Sequence, residues 1–306
     1  MSEAQAAANG AARKTAADFQ PEVLKLFDQY VHGAIGRRGF LQGAAKYTSG
    51  VVGAELLLAE LSPNFAQAQQ VKGDDSRIQS SYVDIPSPQG YGKVRAYLVK
   101  PANAKGPLPT VLVVHENRGL NPHIEDIARR LALDGFIALA PDALYPLGGY
   151  PGDEDKAREL FPKLDQVKTR ADFLASTQYL LKLQGGNGKV GAVGFCYGGG
   201  MANYLATQVP ELAASVPFYG AQPPEADVPR IKAPLLIHYA GTDERINAGW
   251  PKYEAALKAS KVSYQAFVYD GVQHGFNNDT TPRYDAAAAK LAWQRTVDFF
   301  KQNLKA

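Results

Sequence analysis

The chain has a single cysteine, Cys196, in 306 residues, so no intrachain disulfide can form and cysteine usage leaves the redox compartment open. No block of lysine or arginine is long enough to make a phosphate-binding surface, and the formal net charge is only +3, which sets nucleic acid aside as a partner. No window reaches the roughly 18 consecutive apolar residues of a membrane span. Beyond residue 70 there is neither an internal repeat nor a low-complexity tract. What remains is the composition of a globular enzyme, with a length that fits one α/β domain of roughly 200 to 250 residues plus an appendage.

Composition changes near residue 70, which divides the chain into a leader, 1–70, and a main domain, 71–306. Within the leader, "GRRGFLQGAA" (Gly36 to Ala45) resembles a twin-arginine export signal: Arg37 and Arg38, then Phe40 and Leu41, a weakly apolar stretch, and Ala66-Gln67-Ala68 as a cleavage site. On that reading the folded protein is periplasmic. The competing reading is a cytoplasmic protein that keeps its leader. Lys46, Glu55 and Glu60 interrupt the apolar stretch, and the upstream "PEVLKLFDQYVHGAI" has a helical pattern. The leader is then a helical arm whose Phe40, Leu41, Val51, Leu56 to Leu58 and Leu61 pack on the main domain or on a second subunit, giving a homo-oligomer.

From residue 80 the apolar pattern switches between periods of two and about 3.6. "SSYVDIPS" and "KVRAYLVKP" alternate around Pro and Gly turns and predict an antiparallel pair at a sheet edge. Six short apolar runs follow, the pattern of strands buried on both faces: "TVLVVHE", "GFIALAPD", "KVGAVGF", "ASVPFYG", "APLLIHYAG" and "SYQAFVYDG". Helical stretches lie between them, and "YDAAAAKLAWQRTVDFFKQNL" closes the chain. The alternation predicts an α/β fold with a mostly parallel central sheet and helices on both faces.

In open α/β sheets ligands bind beyond the carboxyl ends of the strands, so the residues after each apolar run carry the information about function. "VGFCYGGG" is a strand, a tight turn and a helix start. Gly194 and Gly198 flank Cys196 and free the turn from side-chain clashes, while the helix N-terminus favours a thiolate and a developing oxyanion. Taken alone, Cys196 is equally a buried apolar filler. In "APLLIHYAGTDERI" Asp243 follows a strand and can orient a histidine, with Glu244 as its neighbour and competitor. His274 follows the strand of "YQAFVYDGVQHGFNND". The order nucleophile, acid, histidine is that of the α/β-hydrolase fold. Glu116 follows "VLVV" with Arg118 beside it, where it can serve the thiol or pair with that arginine. His115 and His123 lack the spacing of a metal site, so no metal or cofactor is expected.

With these residues in hand, the chain from about residue 80 resembles the dienelactone hydrolase (carboxymethylenebutenolidase) family through "HENRGL", "GFIALAPDALY", "VGFCYGGG", "GTDERI" and "GVQHGF". The resemblance implies an α/β-hydrolase fold and a carboxylic ester hydrolase in which Cys196 is the nucleophile, His274 the base and Asp243 its orienting acid. It implies that Glu116 holds the resting thiol, and that the amides of Tyr197 and Asn117 form the oxyanion hole. Small lactones or activated esters are the implied substrates, cleaved through a thioester. The family's two carboxylate-gripping arginines have no counterpart in "APDALYPLGGYPG" or "HGFNNDTTPR" at the matching places. Arg118, Arg245 and Arg283 are the candidates to replace them, and Tyr145, Tyr150 and Trp250 are candidates to line a more apolar pocket. Two other functions share the same residues: a broader carboxylesterase or thioesterase, and a non-catalytic protein that uses Cys196 as a redox-responsive thiol.

Overall fold

The structure, a computed structural model, describes residues 13–305. Eight strands form one sheet in the order β1-β2-β4-β3-β5-β6-β7-β8. They are β1 (Ile78–Ser87), β2 (Gly92–Pro101), β3 (Leu108–Val114), β4 (Ile137–Pro141), β5 (Gly186–Phe195), β6 (Ala214–Phe218), β7 (Leu235–Ala240) and β8 (Tyr264–Tyr269). The β1–β2 and β2–β4 pairs are antiparallel, and every other pair is parallel. The mixed sheet with its antiparallel edge is the arrangement that the switch from alternating to continuously apolar runs predicts. β8 differs from that expectation. Its run is as apolar as the others, but it pairs only with β7, and Val268 is half exposed. A run of this length cannot itself distinguish an interior strand from the last one.

Helices cover both faces. The leader contributes α1 (Pro21–Val31), α2 (Arg37–Ala44), α3 (Gly50–Leu61) and the single turn α4 (Phe65–Ala68). The main domain adds α5 (Pro122–Leu133), α6 (Glu154–Leu160), α7 (Gln166–Leu181), α8 (Tyr197–Gln208), α9 (Glu244–Asn247), α10 (Trp250–Ala259) and α11 (Ala286–Asn303). α5 and α11 bury Ile124, Ile127, Val297 and Phe300 against one face of the sheet. α7, α8 and α10 bury Phe173, Leu205 and Leu257 against the other.

The leader is folded and has a core of its own. Val23, Leu24, Phe27 and Tyr30 of α1 meet Phe40 of α2 and Leu58 and Leu61 of α3, each side chain contributing about 1.5–3 kcal/mol by leaving water. Arg37 opens α2 and pairs with Asp155 at 3.0 Å, while Phe40 is fully buried. Of the apolar residues expected to pack, Val51 and Leu56 are exposed instead, on the outer side of α3. This helical cap sits over the carboxyl ends of the strands. Tyr30 donates to Asp155, the Asn117 side chain donates to the Val31 carbonyl at 3.0 Å, and the Asn64 amide donates to the Thr280 carbonyl at 2.8 Å.

The turn between β5 and α8 is the tightest point of the fold. A Cβ at Gly198 would fall on the Val114 carbonyl oxygen, and one at Gly194 on the Gly198 carbonyl oxygen. Both obstacles are backbone atoms, which cannot swing aside. Gly198→Ala is therefore expected to cost about 1–3 kcal/mol, a lowered urea midpoint with unchanged slope, and to displace the turn.

Candidate active site

Cys196 occupies the turn with φ 55 and ψ −111, a left-handed conformation that costs a non-glycine residue on the order of 1–3 kcal/mol and persists only where its surroundings enforce it. The Cys196 amide is held by the Phe218 carbonyl at 3.1 Å, and the Gly200 amide closes back on the Cys196 carbonyl at 3.2 Å. Tyr219, just past β6, also has positive φ, and its ring packs on that of His274 at 4.8 Å. Two neighbouring strand ends are thus bent out of ordinary geometry around the sulfur.

His274, in the loop after β8, has Nδ1 against the Asp243 carboxylate, and both side chains are buried. Asp243 is also the N-cap of α9, accepting from the Ile246 amide at 3.2 Å, which fixes the carboxylate while its other oxygen holds the imidazole. With Nδ1 so engaged, Nε2 of His274 is left buried without a hydrogen-bond partner. Glu116, just past β3, lines the same cavity as Cys196 and His274. The expected contact of Glu116 with the thiol is replaced: Glu116 Oε2 accepts from the Asn278 side chain at 2.8 Å, and the hydrogen-bond partner of the sulfur is His32 Nε2, at 3.5 Å.

His32 and Asn278 were not legible as site residues. His32 caps α1, and its Nδ1 lies 2.8 Å from the Asp28 carbonyl and 3.2 Å from the Asp28 carboxylate. The available signal was the Asp-x-x-x-His spacing in "FDQYVH", which puts both on one side of a helix. Within the trio His32, Cys196 and His274 the sulfur and one nitrogen from each ring lie within 4.8 Å of one another. Each imidazole has its other nitrogen at a carboxylate, the arrangement of a proton-transfer set. His115 and His123 belong elsewhere. His115 is fully buried and accepts from the Ala143 amide at 3.1 Å, and His123 faces Asp279 at 3.2 Å.

The substrate-pocket candidates separate. Arg118 lines a cavity of about 50 Å³ between the cap and the strand ends, together with Arg283, Glu116 and Cys196. Arg118 donates to the Asn117 side chain at 2.7 Å and to the Val31 carbonyl at 3.2 Å. Arg283 lies 3.5 Å from Asp28 and over the Phe27 ring, with Nε and Nη1 lacking hydrogen-bond partners. Arg245 is exposed, with its guanidinium 3.2 Å from His32 Nε2. Tyr145 and Tyr150 border a separate depression beside Arg95, and Tyr150 donates to Glu154 at 2.9 Å. Trp250 packs among Tyr239, Tyr253 and Tyr264. None of these three aromatics lines either cavity at Cys196. A second cavity, of about 270 Å³, reaches Cys196 from the other side between Tyr197, Tyr204, Met201 and Gln222.

Comparison with known proteins decides the relationship. A profile of the dienelactone hydrolase family matches residues 94–304. The chain belongs to the dienelactone hydrolase family. It is thus a dienelactone hydrolase-like enzyme acting on ester or lactone bonds. An Escherichia coli K12 protein named "Putative carboxymethylenebutenolidase" is 34% identical over 247 residues, covering 76% of this chain and 90% of the relative. A second E. coli K12 protein, "Putative hydrolase fragment YghX", is 59% identical over 105 residues, covering 34% of this chain and 90% of its own. Among solved structures, a dienelactone hydrolase-like promiscuous phosphotriesterase from metagenomic libraries superposes with a TM-score of 0.65 at 26% identity, covering 75% of this chain and all of that one. A further profile, described as YqhI-like, matches residues 11–46, the stretch that carries α1 and α2. No helix among the described residues is long and apolar enough to cross a membrane.

The surroundings of the sulfur set its protonation. Burial pushes the thiol up, but the imidazoles of His274 and His32 outweigh it and bring the pKa down to about 5. A thiolate favoured in this way is present above that value and lost below it. Alkylation of Cys196 by iodoacetamide should therefore show its inflection near pH 5, where an ordinary thiol shows it near 8.5, and should be nearly flat between pH 6 and 8.

Proposed function

We propose that the protein hydrolyses small lactones or activated carboxylic esters by nucleophilic catalysis, with Cys196 as nucleophile and a thioester as the covalent intermediate. The observation that carries this is the left-handed Cys196 between β5 and α8, its sulfur facing His274 and its pKa brought down to about 5. The Asp243–His274 pair supplies the general base for the water that cleaves the thioester. The Tyr197 amide begins α8, where first-turn N–H groups have no partner within the helix, and with the amide of Asn117 it receives the oxyanion. Removing one such donor costs about 3 kcal/mol, so the geometry of the turn matters as much as the thiol.

A thiolate is a good leaving group, and the tetrahedral intermediate can expel either it or the substrate oxygen. Enol esters and strained lactones compete for that choice, and amides do not, so peptides are excluded as substrates. The two cavities that meet at Cys196 divide the substrate between them. Arg118 and Arg283 bring two guanidiniums to the one beneath the cap, beside Glu116, Glu154 and Asp155, and the N–H groups of Arg283 that lack hydrogen-bond partners among the described residues are a cost that a substrate carboxylate would remove. The other, walled by Tyr197, Met201 and Tyr204, suits an uncharged portion.

Two outcomes are expected. Cys196→Ala should abolish turnover of small activated esters, and acid quenching of the wild type during turnover should reveal, by intact mass, an acyl adduct that is absent from Cys196→Ala. Undiminished activity of that variant would rule the cysteine out. Arg118→Gln should raise KM for a carboxylate-bearing lactone about tenfold while leaving an uncharged ester of the same size unaffected, in line with the roughly 1.5–3 kcal/mol of a hydrogen bond to a charged group. Equal effects on both substrates would remove the carboxylate assignment.

A further inference from the structure

The leader places a second carboxylate–imidazole pair against the nucleophile. We propose that His32, carried by the N-terminal helical cap and oriented by Asp28, is a catalytic residue: it takes the proton of Cys196 and keeps the resting nucleophile ionised, leaving His274 free for the water step. The inference rests on the reading of Cys196 as nucleophile, and it makes the cap part of the enzyme rather than a segment to be removed.

The geometry assigns the two imidazoles different work. His32 Nε2 is 3.5 Å from Sγ, and its ring is fixed through Nδ1 at Asp28. His274 Nε2, by contrast, makes no hydrogen bond although it is buried beside the same sulfur. The rings are 4.7 Å apart, edge to face, so both cannot comfortably carry charge in this buried space. One proton is shared by three groups, and the hydrogen bond to the sulfur at 3.5 Å is from His32. Around that histidine stand Asp28 from its own helix, Cys196 from the turn, His274 and Arg283 from the loops after β8, and Arg245 from α9. Asp28 and the thiolate favour a charged His32, whereas Arg245, Arg283 and a charged His274 oppose it. Burial alone would lower the pKa of His32, yet Asp28 and Cys196 together raise it to about 10. Arg245 is exposed and can turn its charge into water, whereas the buried guanidinium of Arg283 lies 3.5 Å from the Asp28 carboxylate.

The thiol proton passes from Sγ to Nε2 of His32. Sγ attacks the carbonyl carbon, forming the C–S bond and moving the π pair onto oxygen. As that pair returns, the C–O bond to the leaving group breaks, and the leaving oxygen takes the proton from His32. Water then gives a proton to Nε2 of His274 while its oxygen bonds to the thioester carbon, and collapse breaks the C–S bond and releases the acid and the thiolate. The proton on His274 passes to His32, which restores the resting pair.

The experiment compares full-length wild type, His32→Gln and Asp28→Asn. The rate of Cys196 alkylation by iodoacetamide is followed from pH 4 to 9, and single-turnover acylation and deacylation are measured with an activated ester. For His32→Gln the alkylation inflection should rise by at least one pH unit, and acylation at pH 6 should slow about tenfold with deacylation unchanged. Asp28→Asn should shift the inflection the same way by a smaller amount, and it serves should His32→Gln fail to fold, which thermal melting reports. His274→Ala should instead acylate and accumulate the thioester. An inflection in His32→Gln and Asp28→Asn equal to that of wild type, or slowing confined to deacylation, would overturn the proposal. Alkylation needs no substrate, so this failure is distinguishable from the absence of a thioester in the wild type, which would overturn the cysteine mechanism instead.

Discussion

The site depends on a backbone conformation that its own residue disfavours. Cys196 is held at φ 55 because the strand before it and the helix after it approach too closely for any other path. Gly194 lies against Gly198, Gly198 against Val114, and Gly199 against Phe218, all backbone to backbone. Three strands and one helix thus converge on a single turn. The strain is local, on the order of 1–3 kcal/mol, and the packing that imposes it is that of the whole parallel sheet. Its effect is to lift the sulfur off the sheet edge and to place it at the first amides of α8.

Charge follows from that placement. A thiolate buried here would be costly unless it were matched, since burial favours the neutral form of a thiol. The match comes from imidazoles whose outer nitrogens lie at acidic residues, His274 Nδ1 at the Asp243 carboxylate and His32 Nδ1 2.8 Å from the Asp28 carbonyl and 3.2 Å from its carboxylate. Arg118 and Arg283 reach the cavity beneath the cap without touching the sulfur, and Glu116, Glu154 and Asp155 line it with them, so the space beside Cys196 is bordered by charges of both signs. The cap contributes more than cover. Its Val31 carbonyl accepts from both Asn117 and Arg118, and so steadies the loop that bears one proposed oxyanion donor.

Most of the fold was legible because the sheet interior demands continuous apolar runs, and because strand ends in such a sheet are marked by the residues that follow them. Cys196, Asp243, His274 and Glu116 were found in that way, each just beyond its own strand. The features that the sequence does not express have a common physical cause: they depend on contacts between distant segments. The position of β8 at the sheet edge is set by the absence of a neighbour beyond it, which its own sequence does not express. Trp250 is an aromatic near a strand end, as a pocket residue would be, yet helix α10 turns it toward Tyr239 and Tyr264. Asn278 meets Glu116 only because the loop after β8 folds back over β3. His32 lies 164 positions from the sulfur it touches.

The sequence of the leader fits two readings at once. Arg37, Arg38, Phe40 and Leu41 satisfy the pattern of an export signal, and the same residues satisfy a short amphipathic helix, because both call for a cation pair followed by apolar side chains. The two readings differ in what the apolar residues do next. In the structure Phe40 is fully buried between α1 and α3, and Arg37 is paired with Asp155 on the main domain. Seen from the sulfur, the difference is chemical. Without the cap, Cys196 would face His274 alone and Arg118 would lose its Val31 acceptor; with it, the nucleophile is flanked by two oriented imidazoles in a space of about 50 Å³, room for a few water molecules. The sulfur of Cys196 thus takes a hydrogen-bond partner from the leader, and on the proposed mechanism the leader is a condition of the chemistry.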